Sequence, residues 1–234
     1  MNIIITGASK GIGRETVKRF VGQGNHSIIA ISRNNQKLET LKTECVKINP
    51  GSEVIPFSGD ITSGGFYDKF PDNISVFDKP IDILINNAGA LVNKPFAKLT
   101  DDDFDNMFDV NVKSVFKIVK FLYPKFSRGS HIINIGSMGG YQGSSKFPGL
   151  SLYSASKGAL AILTEAMAEE FKGDGVSVNC LALGAVQTEM LENAFPGYQA
   201  PLSANGMADF IVDFAINGKK YFNGKILPVS LSTP

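Results

Sequence analysis

Tyr153 and Lys157 stand four residues apart in Tyr153-Ser154-Ala155-Ser156-Lys157, a spacing that puts both side chains on one face of a helix. A phenol is a weak acid with a reference pKa of about 10, and a neighbouring ammonium favours its phenolate. Such a pair can give a proton to a carbonyl oxygen as the carbonyl is reduced. The spacing alone is common, but two more polar residues point the same way. Ser137, in Gly136-Ser137-Met138-Gly139-Gly140, follows directly on an apolar run. Asn111 falls on the apolar stripe of Phe104, Met107, Phe108 and Val115, where an amide needs hydrogen-bond partners. It is either a structural amide that bends its helix or a member of the same site.

A second chemistry lies at the start of the chain. Thr6-Gly7-Ala8-Ser9-Lys10-Gly11-Ile12-Gly13 follows a short apolar run and leads at once into a helical pattern. A glycine turn there lets backbone amides and a helix N-terminus meet a pyrophosphate, where side chains would block the approach. About 20 residues further on, an acid would accept the ribose hydroxyls of NAD and a basic residue would suit the 2′-phosphate of NADP. This chain has Ser32-Arg33-Asn34 there, and Lys10 lies within the glycine turn. Two cations without a competing acid predict NADP(H) over NAD(H).

The elements that must position these residues alternate along the chain. The runs Ile3–Ile5, Ile28–Ile31, Val54-Ile55, Ile81–Ile85, Ile132–Ile135, Val176–Val178 and Ile226-Leu227 are β-branched and nearly continuous. Strands read this way when helices cover both faces of a parallel sheet. Between them, Val17, Phe20 and Val21 share one helical face. Phe104, Met107, Phe108, Val112, Val115 and Val119 make a long stripe, and Leu160, Leu163, Met167 and Phe171 make another. The pattern predicts an α/β fold: a doubly wound, seven-stranded parallel sheet in a single domain over residues 1–234. Residues 191–206, within a wider segment of about 188–208, read as a substrate lid, with Phe195, Tyr198 and Leu202 facing the substrate.

Composition narrows the function classes. With 23 Lys and Arg against 22 Asp and Glu, the net charge of +1 lacks the footprint of a nucleic-acid binder. The apolar runs are too short for a bilayer, so no membrane partner is expected. Cys45 and Cys180 are too far apart in sequence for a disulfide scaffold or a metal site, which points to a soluble protein of the reducing cytoplasm. His26 and His131 have no ligand-spaced neighbours and read as structural, so no metal is expected. Thr100-Asp101-Asp102-Asp103 reads as a helix N-terminus, and most of the 17 Phe read as core.

Taken together and in this order, the motifs resemble the short-chain dehydrogenase/reductase family over essentially the whole length. Thr6–Gly13 is similar to the family's glycine motif, which implies that Gly7, Ser9, Lys10, Gly11, Ile12 and Gly13 meet the cofactor. Asp60, with Ile61 beside it, resembles the acid that contacts the adenine, and Arg33 and Asn34 would flank the adenosine ribose. Asn86-Asn87-Ala88-Gly89 resembles the signature after the fourth strand, in which Asn87, Ala88 and Gly89 line the cofactor. Asn111, Ser137, Tyr153 and Lys157 match the catalytic tetrad. Gly184-Ala185-Val186-Gln187-Thr188 resembles the segment near the nicotinamide amide, through Gly184, Val186 and Thr188.

The resemblance implies a Rossmann-type NADP(H)-dependent oxidoreductase acting on a small-molecule carbonyl or secondary alcohol. Ser137 would orient the carbonyl and Tyr153 would protonate the developing alkoxide. Lys157 would lower the Tyr153 pKa and hold the nicotinamide ribose, and Asn111 would position a water that relays protons to Lys157. It also implies a homodimer or homotetramer through the helices of Asn111 and Tyr153. An oxoacyl thioester, a steroid-like ketone, a sugar and a small aldehyde all stay open as substrates, with a weak leaning to apolar ones. A non-catalytic dinucleotide-binding regulator is the alternative function, which the complete tetrad disfavours. The chain departs from the family in three places. Leu183 stands where a proline is usual, the stretch Tyr141–Pro148 is longer than common, and Leu231-Ser232-Thr233-Pro234 replaces the usual Asp-Gly-Gly.

Overall fold

All seven β-branched runs become strands of one parallel sheet. The computed structural model describes residues 1–75, 77 and 79–231, so Ser232, Thr233 and Pro234, where the family's ending was expected, lie outside the described residues. The chain runs β1 (Asn2–Thr6), α1 (Gly11–Gln23), β2 (Ser27–Ser32), α2 (Asn35–Ile48), β3 (Glu53–Ser58), α3 (Gly64–Ile74) and β4 (Ile81–Asn86). It continues through α4 (Asp101–Phe108), α5 (Ser114–Leu122), β5 (Phe126–Ile135), α6 (Ser151–Glu170) and β6 (Ser177–Leu183). The last elements are β7 (Val186–Gln187), α7 (Glu189–Ala194), β8 (Leu202–Ser203), α8 (Ala204–Asn217) and β9 (Ile226–Val229).

The main sheet has seven strands in the order β3-β2-β1-β4-β5-β6-β9, and β7 and β8 form a separate pair. The chain builds outward from β1 to β3, then returns to the other side of β1 with β4. That reversal opens a crevice at the carboxyl ends of β1 and β4. The pleat sends alternate residues of β1 to opposite layers. Ile3 and Ile5 pack with Val17 and Phe20 of α1, Leu38 of α2 and Ile211 of α8. Ile4 packs with Phe70 of α3, Ile118 of α5 and Leu160 of α6. Both faces are therefore apolar, which is why the runs are continuous. Each such fully buried isoleucine contributes about 1.5–3 kcal/mol.

The helix that carries Asn111 is interrupted. Thr100 and Asp103 form a capping box, with Asp101, Asp102 and Asp103 in the first turn where the helix dipole favours acids. Between α4 and α5 a π-turn spans Asp109–Lys113 and holds Asn111 inward. The extra residue rotates the buried face, so the expected single stripe divides. Met107, Val115, Ile118, Val119 and Leu122 are buried, while the exposed Phe104 stacks 4.5 Å from the half-buried Phe108.

Two expectations need correction. Phe96, Phe104, Phe116, Phe147, Phe210 and Phe222 are exposed rather than core. Residues 191–206 are also more regular than a loop: α7 occupies their start, β8 pairs with β7, and α8 begins at Ala204. Leu202 packs against the α1–α8 core layer rather than facing a substrate. Among the described residues no helix is long and apolar enough to cross a membrane.

Candidate active site

A cleft of about 1490 Å³ runs along the carboxyl edge of the sheet. Its wall includes Gly7, Ser9, Lys10, Gly11, Ile12, Arg33, Asn34, Asp60, Ile61, Asn87, Ala88 and Gly89. Further along the same wall come Ser137, Tyr153, Lys157, Gly184, Val186 and Thr188. Of the expected catalytic and cofactor-binding residues, Gly13 and Asn111 alone are absent from the wall, and both stand directly behind it.

The glycine turn is built by close approach. Thr6 Oγ1 accepts from the backbone N–H groups of Asn87 (3.1 Å) and Ala88 (3.0 Å), and Asn87 Nδ2 donates to the carbonyls of Thr6 (3.0 Å) and Gly7 (3.2 Å). These bonds staple the end of β4 onto the end of β1. A Cβ on Gly7, whose φ is +69°, would lie 2.8 Å from Asn87 Nδ2 and 2.9 Å from the Ala88 backbone. A Cβ on Gly13 would lie 2.5 Å from the Gly7 carbonyl oxygen and nearer still to Asn87 Nδ2. Side chains are excluded where the backbone faces the cleft, and no side chain caps the first turn of α1. This bare cradle at a helix N-terminus fits a pyrophosphate.

The adenosine end of the cleft carries the charge. Asn34 caps α2 by accepting from the Lys37 N–H (2.9 Å), which fixes the corner between β2 and α2. Asp60 Oδ1 accepts from the backbone N–H (2.9 Å) and hydroxyl (2.7 Å) of Thr62. Burial pushes the Asp60 carboxyl up, but the Thr62 hydrogen bonds and the Arg33 charge together hold it below its ordinary value. One expectation fails here, because an acid does compete for Lys10. Glu189, in the first turn of α7, pairs with Lys10 Nζ at 2.6 Å and lies 3.9 Å from Lys37 Nζ.

The other end gathers the tetrad. Ser137 Oγ accepts from the Gly139 N–H (3.1 Å), which leaves its own hydrogen to donate. A Cβ on Gly139 would meet Ser137 Oγ at 3.5 Å and Tyr153 Cδ1 at 3.9 Å, so both side chains crowd that glycine. Lys157 is almost wholly buried and donates to the Ile135 carbonyl at 2.7 Å. Burial pushes its ammonium down from 10.5 to about 8, with the neighbouring Cys180 opposing. Its Nζ lies 6.0 Å from the centre of the Tyr153 ring.

The expected lowering of the Tyr153 pKa by Lys157 does not occur. Burial holds the phenol above its ordinary value, and only a hydrogen bond with Ser137 opposes this. A neutral phenol desolvated in this way keeps its proton available near neutral pH.

Asn111 is fully buried and committed to hydrogen bonds. Its Nδ2 donates to the Ala90 carbonyl (3.0 Å) and Ser156 Oγ (2.9 Å), and its Oδ1 accepts from the Ala90 N–H (2.9 Å). It joins the loop after β4 to α6. A Cβ on Gly89 would lie 3.3 Å from Asn111 Oδ1 and 3.6 Å from Lys157 Nζ, so that glycine keeps the space between them open.

The family model for short chain dehydrogenases matches residues 1–199. The chain belongs to the short-chain dehydrogenase/reductase family. The family's cofactor is a nicotinamide dinucleotide, and the bare glycine cradle accommodates one. The chain is 34% identical over 193 residues to carbonyl reductase (NADPH) 2 of Sus scrofa, covering 81% of this chain and 73% of that protein. It is 30% identical over 191 residues to a 3-oxoacyl-(acyl-carrier-protein) reductase of Thermotoga maritima, covering 81% and 75%. Among solved structures, a mutant short-chain dehydrogenase/reductase of Serratia marcescens superposes with a TM-score of 0.86 at 28% identity, covering 97% of this chain and 95% of that one.

In this short-chain dehydrogenase/reductase, apolar side chains also line the cleft. Leu91 and Val110 come from the side of β4 and α4, Met138, Phe147 and Leu150 from the long segment after β5, and Met190, Leu191, Phe195 and Tyr198 from α7 and the stretch that follows it. The segments lock together: Asn93 Nδ2 donates to the Ala194 carbonyl (2.8 Å), and the Lys94 N–H donates to the Gly149 carbonyl (3.0 Å). The long Tyr141–Pro148 stretch thus supplies Ser145 and Phe147 to the cleft. Leu183, in place of the usual proline, pairs with Val229 in the sheet. Sequence reasoning missed Lys37 and Glu189. Lys37 carried a signal, three residues beyond Asn34, but Glu189 had none. His131 is buried between the Ala215 carbonyl (2.9 Å) and Asn179 (3.0 Å), a structural setting in which burial pushes it down to about 4.

Proposed function

We propose that this protein is an NADP(H)-dependent reductase of small, neutral carbonyl compounds, with Asn111, Ser137, Tyr153 and Lys157 as its catalytic set. The observation that carries this reading is the division of one cleft. Lys10, Arg33, Asp60, Lys37 and Glu189 lie at its β1–β3 end, whereas Ser137 and Tyr153 sit at its β4–β6 end among apolar walls. The glycine cradle of Gly7, Gly11 and Gly13 would hold the pyrophosphate, Arg33 and Lys10 the 2′-phosphate, and Asp60 and Ile61 the adenine. Gly184, Val186 and Thr188 would face the nicotinamide.

The bound cofactor supplies the hydride. Ser137 turns its hydroxyl hydrogen from Tyr153 to the carbonyl oxygen and orients it. Tyr153 passes its phenolic proton to that oxygen as negative charge develops there. Lys157, whose Nζ lies 6.0 Å from the centre of the Tyr153 ring, would hold the nicotinamide ribose beside it. Asn111 holds the loop of Gly89 and Ala90 against α6, which keeps Lys157 and Tyr153 in register.

Apolar walls favour cyclic or aryl ketones and aldehydes over charged substrates. The likeness to a 3-oxoacyl-(acyl-carrier-protein) reductase adds an oxoacyl thioester to the panel worth testing. We place the enzyme in the cytoplasm as a homo-oligomer, through the exposed apolar face of α4, α5 and α6 where Phe104, Phe116 and Ile162 project.

Tyr153→Phe tests the reading. It should lower kcat for ketone reduction at least about 100-fold, the usual scale of acid catalysis, and leave NADPH binding within about twofold. Near-normal turnover in that variant would overturn the assignment.

A further inference from the structure

Glu189 lies on the lid, 179 residues from Lys10 in sequence, yet its carboxylate meets that ammonium at 2.6 Å. Its other oxygen faces Lys37 Nζ at 3.9 Å. Lys37 belongs to the first turn of α2, whose cap is Asn34, so the carboxylate hangs over the corner between β2 and α2. In doubly wound folds that corner is where the ribose 2′ position is read. All three side chains are about half exposed, with Lys10 at 49%, Lys37 at 51% and Glu189 at 53%. Ion pairs this exposed are weak and exchange readily.

We propose that Glu189 is a cofactor-specificity residue: an internal anion that competes with the 2′-phosphate for Lys10 and Lys37 and so holds down the preference for NADP(H). The inference rests on the NADP(H) reading given above. A phosphate carries about −1.5 to −2 charges against the single charge of a carboxylate, so it prevails at the lysines. Glu189 nevertheless remains beside it as a like charge, tethered by Thr188, which caps α7 by accepting from the Leu191 N–H (3.3 Å). A cofactor without the 2′-phosphate meets neither the competition nor the repulsion.

The test is calorimetric titration of wild type, Glu189→Gln, Lys10→Met and the double variant with NADPH and NADH. Adenosine 2′,5′-bisphosphate and adenosine 5′-phosphate repeat the comparison without the nicotinamide half. Glu189→Gln should tighten NADPH and the bisphosphate about three- to fivefold and move NADH and the monophosphate less than about twofold. In the Lys10→Met background this gain should shrink, leaving only the part due to Lys37 and to like-charge repulsion. Equal effects on both cofactors, no effect, or a gain undiminished by the loss of Lys10 would each overturn the role of Glu189 while leaving the NADP(H) reading intact. Tighter binding of NADH than NADPH by the wild type would overturn that reading, and this inference with it.

Discussion

Replacing Lys157 with Met should change how stability depends on pH, by an amount the structure sets. Lys157 is almost wholly buried, and that burial moves its pKa from 10.5 to about 8. The unfolded chain therefore keeps this proton up to about pH 10.5, whereas the folded chain releases it near pH 8. Between those values the unfolded state binds more protons, so raising the pH stabilises the fold. The buried ammonium costs about 3 kcal/mol at pH 7 and about 1 kcal/mol at pH 10, a change of about 2 kcal/mol, given its fall from 10.5 to about 8.

Met fills a similar volume and does not titrate. It strands the Ile135 carbonyl that Lys157 Nζ satisfies at 2.7 Å, but that loss is the same at every pH. The difference in unfolding free energy between variant and wild type isolates the lysine. Urea unfolding at steps from pH 7 to 10 should show the variant losing about 2 kcal/mol relative to wild type as the pH rises. Stopping at pH 10 keeps Cys180, pushed up to about 11, protonated. A flat difference, or one that grows in the variant's favour, would refute the claim that Lys157 is held as a desolvated ammonium. Activity should be lost in the variant throughout.

Two further outcomes are expected. Gly13→Ala would drive a Cβ to 2.5 Å from the Gly7 oxygen and closer still to Asn87 Nδ2, so the turn must shift. Stability should fall by about 1–3 kcal/mol, read as a lower Tm, and NADPH binding should be lost. Phe116→Glu places a charge on the exposed α4–α6 face, and light scattering should then report a monomer in place of the homo-oligomer proposed for the wild type.

Much of this protein was legible along the chain. The seven strands were readable because helices cover both faces of the sheet, which makes successive strand positions mostly apolar. The glycine turn was readable because only a bare backbone fits between Asn87 and the end of β1. Tyr153 and Lys157 were readable because one turn of helix fixes their relation before any tertiary contact forms. Asn111 announced itself as an amide on an apolar stripe, and its bonds to Ala90 and Ser156 explain why the position tolerates it.

Other features depend on what the fold brings alongside. Burial in the assembled cleft set the direction of the Tyr153 pKa, a quantity that local spacing with Lys157 does not contain. The π-turn rotated the apolar stripe and turned Phe104 outward, a change of period invisible in the list of apolar positions. The pairing of β7 with β8 drew Leu202 into the core and away from the lid. Glu189 reached Lys10 only because the crossover after β6 lays α7 across the opening above β1. Local geometry, set within a turn of helix or a strand's pleat, was written in residue order. Electrostatic partners and burial were not, because both depend on distances between segments that are remote in sequence.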